Sequence, residues 1–196
     1  MRQTIEGMMP DHALAVYLEA LKKATREVPP DYFQFKVAGQ ARPIYRERGY
    51  CYELYHRLRV ALPHDFHYSL AGEVDKSGHP IIQTPPLNRR KPDFLVHSAG
   101  DMRSNLLAIE VKPGTVTRRG IEKDIETLIS CLNQANYEYG ILLIYGGRRP
   151  GLLSKLKRFV DLNPQFSFVR NRLLVYWHEN ARKSASEVAW QEILKA

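Results

Sequence analysis

Residues 91–114 read KPDFLVHSAGDMRSNLLAIEVKPG and contain the pattern that decides the fold. Two short apolar runs, 94–96 and 106–109, are separated by a connection rich in Gly, Asp, Ser and Asn. Apolar runs joined by turn-forming residues are typical of two β-strands with a turn between them. We therefore predict a strand pair at the centre of the chain.

Charged residues stand at the ends of both runs. Asp93 precedes the first run, and Glu110 and Lys112 flank Val111 at the end of the second. Side chains alternate across a strand, so Glu110 and Lys112 should project from one face. If the strands pair, Asp93 and Glu110 lie close together, and two close carboxylates need a shared proton or a divalent cation.

The sequence Pro92-Asp93, a spacer and then Glu110-Val111-Lys112 resembles the PD-(D/E)xK nuclease superfamily, which includes restriction endonucleases and Holliday-junction resolvases. This resemblance implies an α/β protein with a restriction-endonuclease-like core. In that core a central mixed sheet is flanked by helices, and the elements follow the order α-β-β-β-α-β.

The surrounding periodicity predicts the same order of elements. A helix is expected at 46–61 and a first strand at 68–76, before the two central strands. A second amphipathic helix at 118–137 and a continuous apolar strand at 141–145 follow. The resemblance therefore covers a core of residues 46–145.

Segments outside this core are predicted as extensions. Residues 1–45 should form an N-terminal helical extension packed on the core, with a helix at 11–26. Residues 46–196 should form the nuclease-like domain with a C-terminal extension. The expected elements of that extension are a helix at 151–161, strands at 166–169 and 173–177, and a helix from about residue 186.

The resemblance implies a metal-binding site for Mg²⁺ or Mn²⁺. Asp93 and Glu110 would be direct ligands, with the Val111 carbonyl as a third oxygen. Glu53, on the helix that precedes the first strand, would bind the ion directly or through water. Lys112 would lie beside the attacking water and the phosphate, where it counters charge in the transition state.

Two acidic residues on the predicted helices allow more than one interpretation. Glu53 lies beside an apolar stripe and could instead form an ion pair with Arg57, four residues on. The resemblance favours the ligand role. Asp124 falls within the apolar stripe of the helix at 118–137, and we interpret it as structural, with a role in supporting the site as the alternative.

The net charge of +8 and the pI of about 9.5 favour an anionic partner. Arg89 and Arg90 lie in a predicted loop before the first central strand, and Arg119 and Lys123 lie near the start of a helix. These four residues are our predicted nucleic-acid contacts, and the alternative for the helical pair is a solvated charged face. We expect DNA rather than RNA.

The chain contains no apolar run of membrane-spanning length and no apolar signal-peptide core near residue 1. We therefore expect a cytoplasmic protein without a membrane partner. The leading hypothesis is a metal-dependent nuclease of a restriction, repair or anti-phage system, with specificity from the extensions, a homodimer or a separate partner. The alternatives are a catalytically inactive nuclease-fold module, which binds nucleic acid or a partner protein, and a structural scaffold.

Overall fold

A computed structural model describes residues 9–72, 91–101 and 103–196. The described elements run in the order helix, strands, helix, strand from residue 47 to residue 145, as predicted for the core. In chain order they are α1 (Pro10–Arg26), α2 (Pro30–Phe33), α3 (Glu47–Ala61), β1 (Ser69–Gly72), β2 (Phe94–His97), β3 (Asn105–Pro113), α4 (Arg118–Gln134), β4 (Tyr137–Tyr145), α5 (Arg149–Leu162), β5 (Leu173–His178), β6 (Ser186–Glu187) and α6 (Trp190–Lys195).

The described strands form one mixed sheet in the order β1-β2-β3-β4-β5-β6. The pairs β1–β2, β2–β3 and β5–β6 are antiparallel, whereas β3–β4 and β4–β5 are parallel. Parallel neighbours need a crossover, and α4 supplies it between β3 and β4. The α/β class with a mixed sheet flanked by helices is therefore confirmed.

Apolar side chains on the two faces of the sheet form two cores. On one face, Ile109 and Val111 of β3 pack against the buried side chains of α1 and α3. On the other face, Ala108 of β3 packs against α4, α5 and α6. The alternation from Ala108 to Lys112 places Glu110 and Lys112 on one face, as predicted, and this face is the one that α4 covers.

Helix α1 shares the first core with the sheet. Its side chains Tyr17 and Leu21 are almost completely buried in the cluster that contains Val111. Helix α1 therefore contributes buried side chains to the same core as the sheet. The division of the chain into an extension and a domain stays a prediction.

Three local predictions were wrong. Residues 166–169 fall largely in a 3₁₀ helix, Pro164–Phe168, and do not form a strand. Helix α4 ends at Gln134, before the predicted end at residue 137, because Asn136 adopts a left-handed conformation with φ 54° and β4 begins at Tyr137. The C-terminal helix begins at Trp190, after the short strand β6.

In the part of the chain that the structure describes, no helix combines the length and apolar character needed to cross a membrane.

Candidate active site

The register between β2 and β3 brings the predicted acidic pair together. Phe94 pairs with Ile109, so Asp93 lies opposite Glu110 at the point where β2 begins. The backbone N–H of Val111 donates a hydrogen bond of 2.7 Å to Asp93 Oδ2. The carboxyl groups of Asp93 and Glu110 are also joined by a side-chain hydrogen bond. The structure therefore places Asp93, Glu110 and Val111 in one cluster.

Burial makes it costly for both members of this acidic pair to be charged. Glu110 is only 5% exposed. Burial, followed by the charges of Asp93 and Asp124, raises the pKa of Glu110 well above its usual value. Burial also raises the pKa of Asp93, although Lys112 and the Val111 N–H oppose the shift. A shared proton is the natural consequence, with Glu110 as its holder.

Lys112 lies between two carboxylates that come from opposite sides of the sheet. Its Nζ donates a hydrogen bond of 2.7 Å to Glu47 Oε1 on α3 and lies 3.8 Å from Asp124 Oδ2 on α4. Burial acts to lower the pKa of Lys112, but Asp93, Asp124 and Glu47 outweigh it and raise the pKa above its ordinary value. Lys112 therefore carries its positive charge at the centre of the acidic cluster.

Asp124 projects inward from α4 and is 4% exposed. Its Oδ2 accepts no hydrogen bond from any group in the described residues. Burial raises the pKa of Asp124 to about 7, even though Lys112 acts to lower it. The sequence pattern located this acid in the buried stripe of its helix, and the structure adds that it belongs to the site.

The site-facing carboxylate of α3 is Glu47, which our sequence analysis missed. Glu53 Oε1 accepts a hydrogen bond of 2.6 Å from Arg57 Nε, which is the alternative pairing considered above. Glu47 precedes the buried residues Cys51 and Leu54 by four and seven positions, so it continues their face of the helix. That spacing was the signal in the sequence. The ligand role of Glu53 stays a prediction.

A buried aromatic cluster fixes α3, and with it Glu47, against the sheet. The rings of Tyr50 on α3 and Tyr145 at the end of β4 stack with centroids 3.8 Å apart. The hydroxyl of Tyr50 forms a hydrogen bond of 2.7 Å with His178 Nδ1 on β5. Burial lowers the pKa of His178 to about 4, so this histidine is a neutral structural partner at pH 7.

Helix α4 presents its basic residues away from the cluster. Thr117 caps the helix by accepting a hydrogen bond from the Gly120 N–H. Arg119 and Lys123 are exposed and line a shallow depression on the outer side of the first turns. Arg89 and Arg90, the other predicted nucleic-acid contacts, lie outside the described residues.

The carboxylates of the acidic cluster are potential ligands of a divalent cation. Within residues 9–72, 91–101 and 103–196, no three His, Cys, Asp or Glu side chains are arranged as a ready metal-binding group. The chemistry of Asp93 and Glu110 nevertheless fits a hard cation, because such an ion would replace their shared proton. Since the N–H and C=O of a strand residue point to the same side, the Val111 carbonyl should also face Asp93.

The cysteines offer no second chemistry. Cys51 and Cys131 are buried and form no disulfide, and burial raises the pKa of the Cys51 thiol, which keeps it protonated and unreactive.

The chain was also compared with known proteins. No protein-family profile matches it, and no curated protein is similar enough to be a recognisable relative.

Proposed function

We propose that this protein is a metal-dependent nuclease that hydrolyses phosphodiester bonds, with DNA as the expected substrate. The observation that carries the proposal is the meeting of Asp93, Glu110 and Lys112 at the ends of two paired strands. Packing alone gives no reason to bury a carboxyl pair that must share a proton, because apolar side chains would fill the space at lower cost. Charge clusters of this kind are commonest at functional sites.

The same geometry suggests a role for each residue. Asp93 and Glu110, with the Val111 carbonyl, would hold Mg²⁺ or Mn²⁺, and Glu47 is better placed than Glu53 to contribute the carboxylate from α3. The bound ion would supply an activated water and neutralise charge on the scissile phosphate.

Lys112 supplies the positive charge that the chain itself brings to the reaction. Its ammonium is hydrogen-bonded to Glu47, so it is oriented by the protein, and the Lys112 side chain as a whole is 17% exposed. A preorganised cation stabilises a developing negative charge without having to reorganise during the step. Lys112 would thus orient the water and counter charge on the phosphate.

The basic balance of the chain supports a nucleic-acid substrate. Arg119 and Lys123 are exposed at the start of α4, the helix whose inner side carries Asp124. A substrate long enough to extend past the site could place phosphates against both basic side chains on the outer side of α4.

The test is a cleavage assay with wild type and Lys112→Ala on duplex, branched and single-stranded DNA and on RNA, in Mg²⁺, Mn²⁺ or EDTA. We expect metal-dependent cutting that Lys112→Ala loses while it still binds the substrate. Lys183→Ala is the matched control, because Lys183 is an exposed lysine paired with Glu179. Cleavage by folded Lys112→Ala at the wild-type rate would refute the assignment of the site.

The second candidate is a nuclease-fold module that binds nucleic acid or a partner protein without cutting. The absence of a ready three-ligand group among the described residues favours this reading. Thermal unfolding with and without Mn²⁺ separates the two, since a ligand that binds the folded state raises its stability. Substrate binding without a Mn²⁺ shift and without cleavage would favour the module.

A further inference from the structure

Lys112 has two carboxylate neighbours, and only one of them is hydrogen-bonded to it. The contact with Glu47 measures 2.7 Å, whereas the 3.8 Å to Asp124 Oδ2 exceeds the 2.7–3.2 Å range of an N–H···O hydrogen bond. A lysine ammonium has three N–H donors, so Lys112 can bond to both acids. Lys112 can therefore donate a second hydrogen bond to Asp124, but in this conformation it does not.

Among the described residues, Lys112 is the partner that the structure shows beside the buried Oδ2 of Asp124. Its Oδ2 is buried and accepts no hydrogen bond within the described residues, although buried polar atoms are normally satisfied. The surrounding positions of α4, Ile121, Ile125 and Leu128, are apolar core residues. An apolar residue at position 124 would continue that core, so the carboxylate needs a reason that packing does not provide.

Glu47 is also a proposed ligand of the cation, so the cation and Lys112 would compete for the Glu47 carboxylate. A Glu47 oxygen that coordinates an ion interacts less strongly with the Lys112 ammonium, and Glu47 is the more exposed partner at 36% against 6% for Asp124. Lys112 then needs another acceptor to remain at the site. Asp124 Oδ2 lies 3.8 Å from Lys112 Nζ and accepts no hydrogen bond within the described residues, so it can serve as that acceptor.

We propose that Asp124 is a positioning residue, and that Lys112 exchanges its hydrogen bond with Glu47 for one with Asp124 when a divalent cation engages Glu47. This inference rests on the proposed nuclease function. Asp124 touches neither the ion nor the substrate in this scheme. It acts through Lys112, which it keeps oriented toward the scissile phosphate.

Side-chain NMR of the ammonium group tests the exchange of partners directly. The ¹⁵N signal of Lys112, assigned by its loss in Lys112→Arg, reports how fast its ammonium protons exchange with water. We would measure that rate in wild type, Glu47→Gln and Asp124→Asn, in EDTA and in saturating Mg²⁺. Glu19→Gln and Glu122→Gln are matched controls, because they remove the same charge from α1 and α4 at residues that pair with Lys22 and Arg118.

We expect the exchange rates of Glu47→Gln and Asp124→Asn to reverse their order between EDTA and Mg²⁺, which we call the crossover. In EDTA, Glu47→Gln should accelerate exchange about fivefold or more and Asp124→Asn should have the smaller effect. In Mg²⁺ the order should reverse, while both controls match wild type. The Mg²⁺ affinity of Asp124→Asn, measured by calorimetry, should stay within about twofold of wild type while its kcat falls.

Three results would overturn the proposal. An unchanged order of the two variants in Mg²⁺ would show that Lys112 keeps Glu47, and a tenfold loss of Mg²⁺ affinity in Asp124→Asn would make Asp124 a ligand. Failure of wild type to bind Mg²⁺ in the calorimeter would overturn both this inference and the cation site. Mg²⁺ binding without the crossover removes only the inference.

Discussion

Replacing Asp124 by Asn should make the protein more stable at neutral pH, although it removes a charged partner of Lys112. Burial raises the pKa of Asp124 from its ordinary value of 3.8 to about 7. A raised carboxyl pKa means that the folded state holds a proton that the unfolded state has already lost. Stability therefore falls as the pH rises from about 4 to about 7, and Asn, which cannot ionise, escapes this loss.

The size of the effect follows from the same two values. At about 1.36 kcal/mol for each pH unit, a rise from 3.8 to about 7 corresponds to roughly 4 kcal/mol. No discount for solvent is needed, because the side chain is only 6% exposed. The new amide has donors that must be desolvated, which costs about 1–2 kcal/mol at every pH. The stability difference between the two proteins should change by roughly 4 kcal/mol between pH 4 and pH 8. This change with pH is the quantity to measure, because the desolvation cost of the amide is the same at every pH and cancels.

Urea unfolding of wild type and Asp124→Asn at pH 4, 6 and 8, in EDTA, measures this difference. The free energy of unfolding of Asp124→Asn minus that of wild type should grow as the pH rises and level off above about pH 7. Glu122→Gln, on the same helix, removes an ion pair with Arg118 and should change stability by less than about 1 kcal/mol throughout. A difference that stays constant from pH 4 to pH 8 would show that Asp124 ionises normally and would refute the reasoning.

Three further predictions concern metal, substrate and loop packing. Glu47→Gln should reduce the rise in Tm that Mn²⁺ produces, while Glu53→Gln should leave it intact; the reverse result would return the ligand role to Glu53. Arg119→Ala should lower the slope of log K against log salt for DNA binding by about 0.7–0.9, and an unchanged slope would remove Arg119 from the interface. Gly114→Ala should cost about 1–3 kcal/mol in urea unfolding, because its Cβ would lie 2.4 Å from a backbone oxygen of the loop after β4. Gly151→Ala, whose Cβ would meet nothing within 4 Å, is the control, and equal effects of the two substitutions would contradict the packing argument.

The central strands could be predicted from sequence because their pattern depends on local rules. The alternation at the end of β3 determines which side chains share a face, and the short connection makes antiparallel pairing with β2 the simplest outcome. Together these rules place Asp93 beside Glu110. The contact requires no knowledge of the rest of the fold, and for that reason the sequence was sufficient.

The helical part of the site was harder to predict because it depends on how α3 rotates against the sheet. Glu53 and Glu47 are six residues apart, so they project in directions about 120° apart on an α-helix. The stack between Tyr50 and Tyr145 sets the rotation that is realised, and the two residues are 95 positions apart in the sequence. Only a reading that extended the buried stripe back to the first helical turn could have selected Glu47.

The wrong prediction of a strand at residues 166–169 has a different cause. Residues 166–169 alternate in polarity like a strand, but Pro164 removes a backbone donor and the backbone closes into 3₁₀ turns, with the Phe166 N–H donating to the Asn163 carbonyl. Local propensity and periodicity conflicted there, and tertiary packing of Phe166 against Trp190 decided the outcome. The spacing of apolar residues within one segment does not reveal such a conflict with tertiary packing.

The buried acids of the cluster lower the stability of the fold rather than raise it. Asp93, Glu110 and Asp124 all have pKa values raised above their ordinary range by burial, so each of them lowers the stability of the fold at neutral pH. Lys112 offsets part of this cost, but a single ammonium cannot neutralise three carboxylates and Glu47 as well. A cation that binds here would relieve the remaining repulsion. The Asp124→Asn experiment in EDTA therefore measures only the share of this cost that Asp124 contributes, which is separate from the repulsion between Asp93 and Glu110 that the ion would relieve.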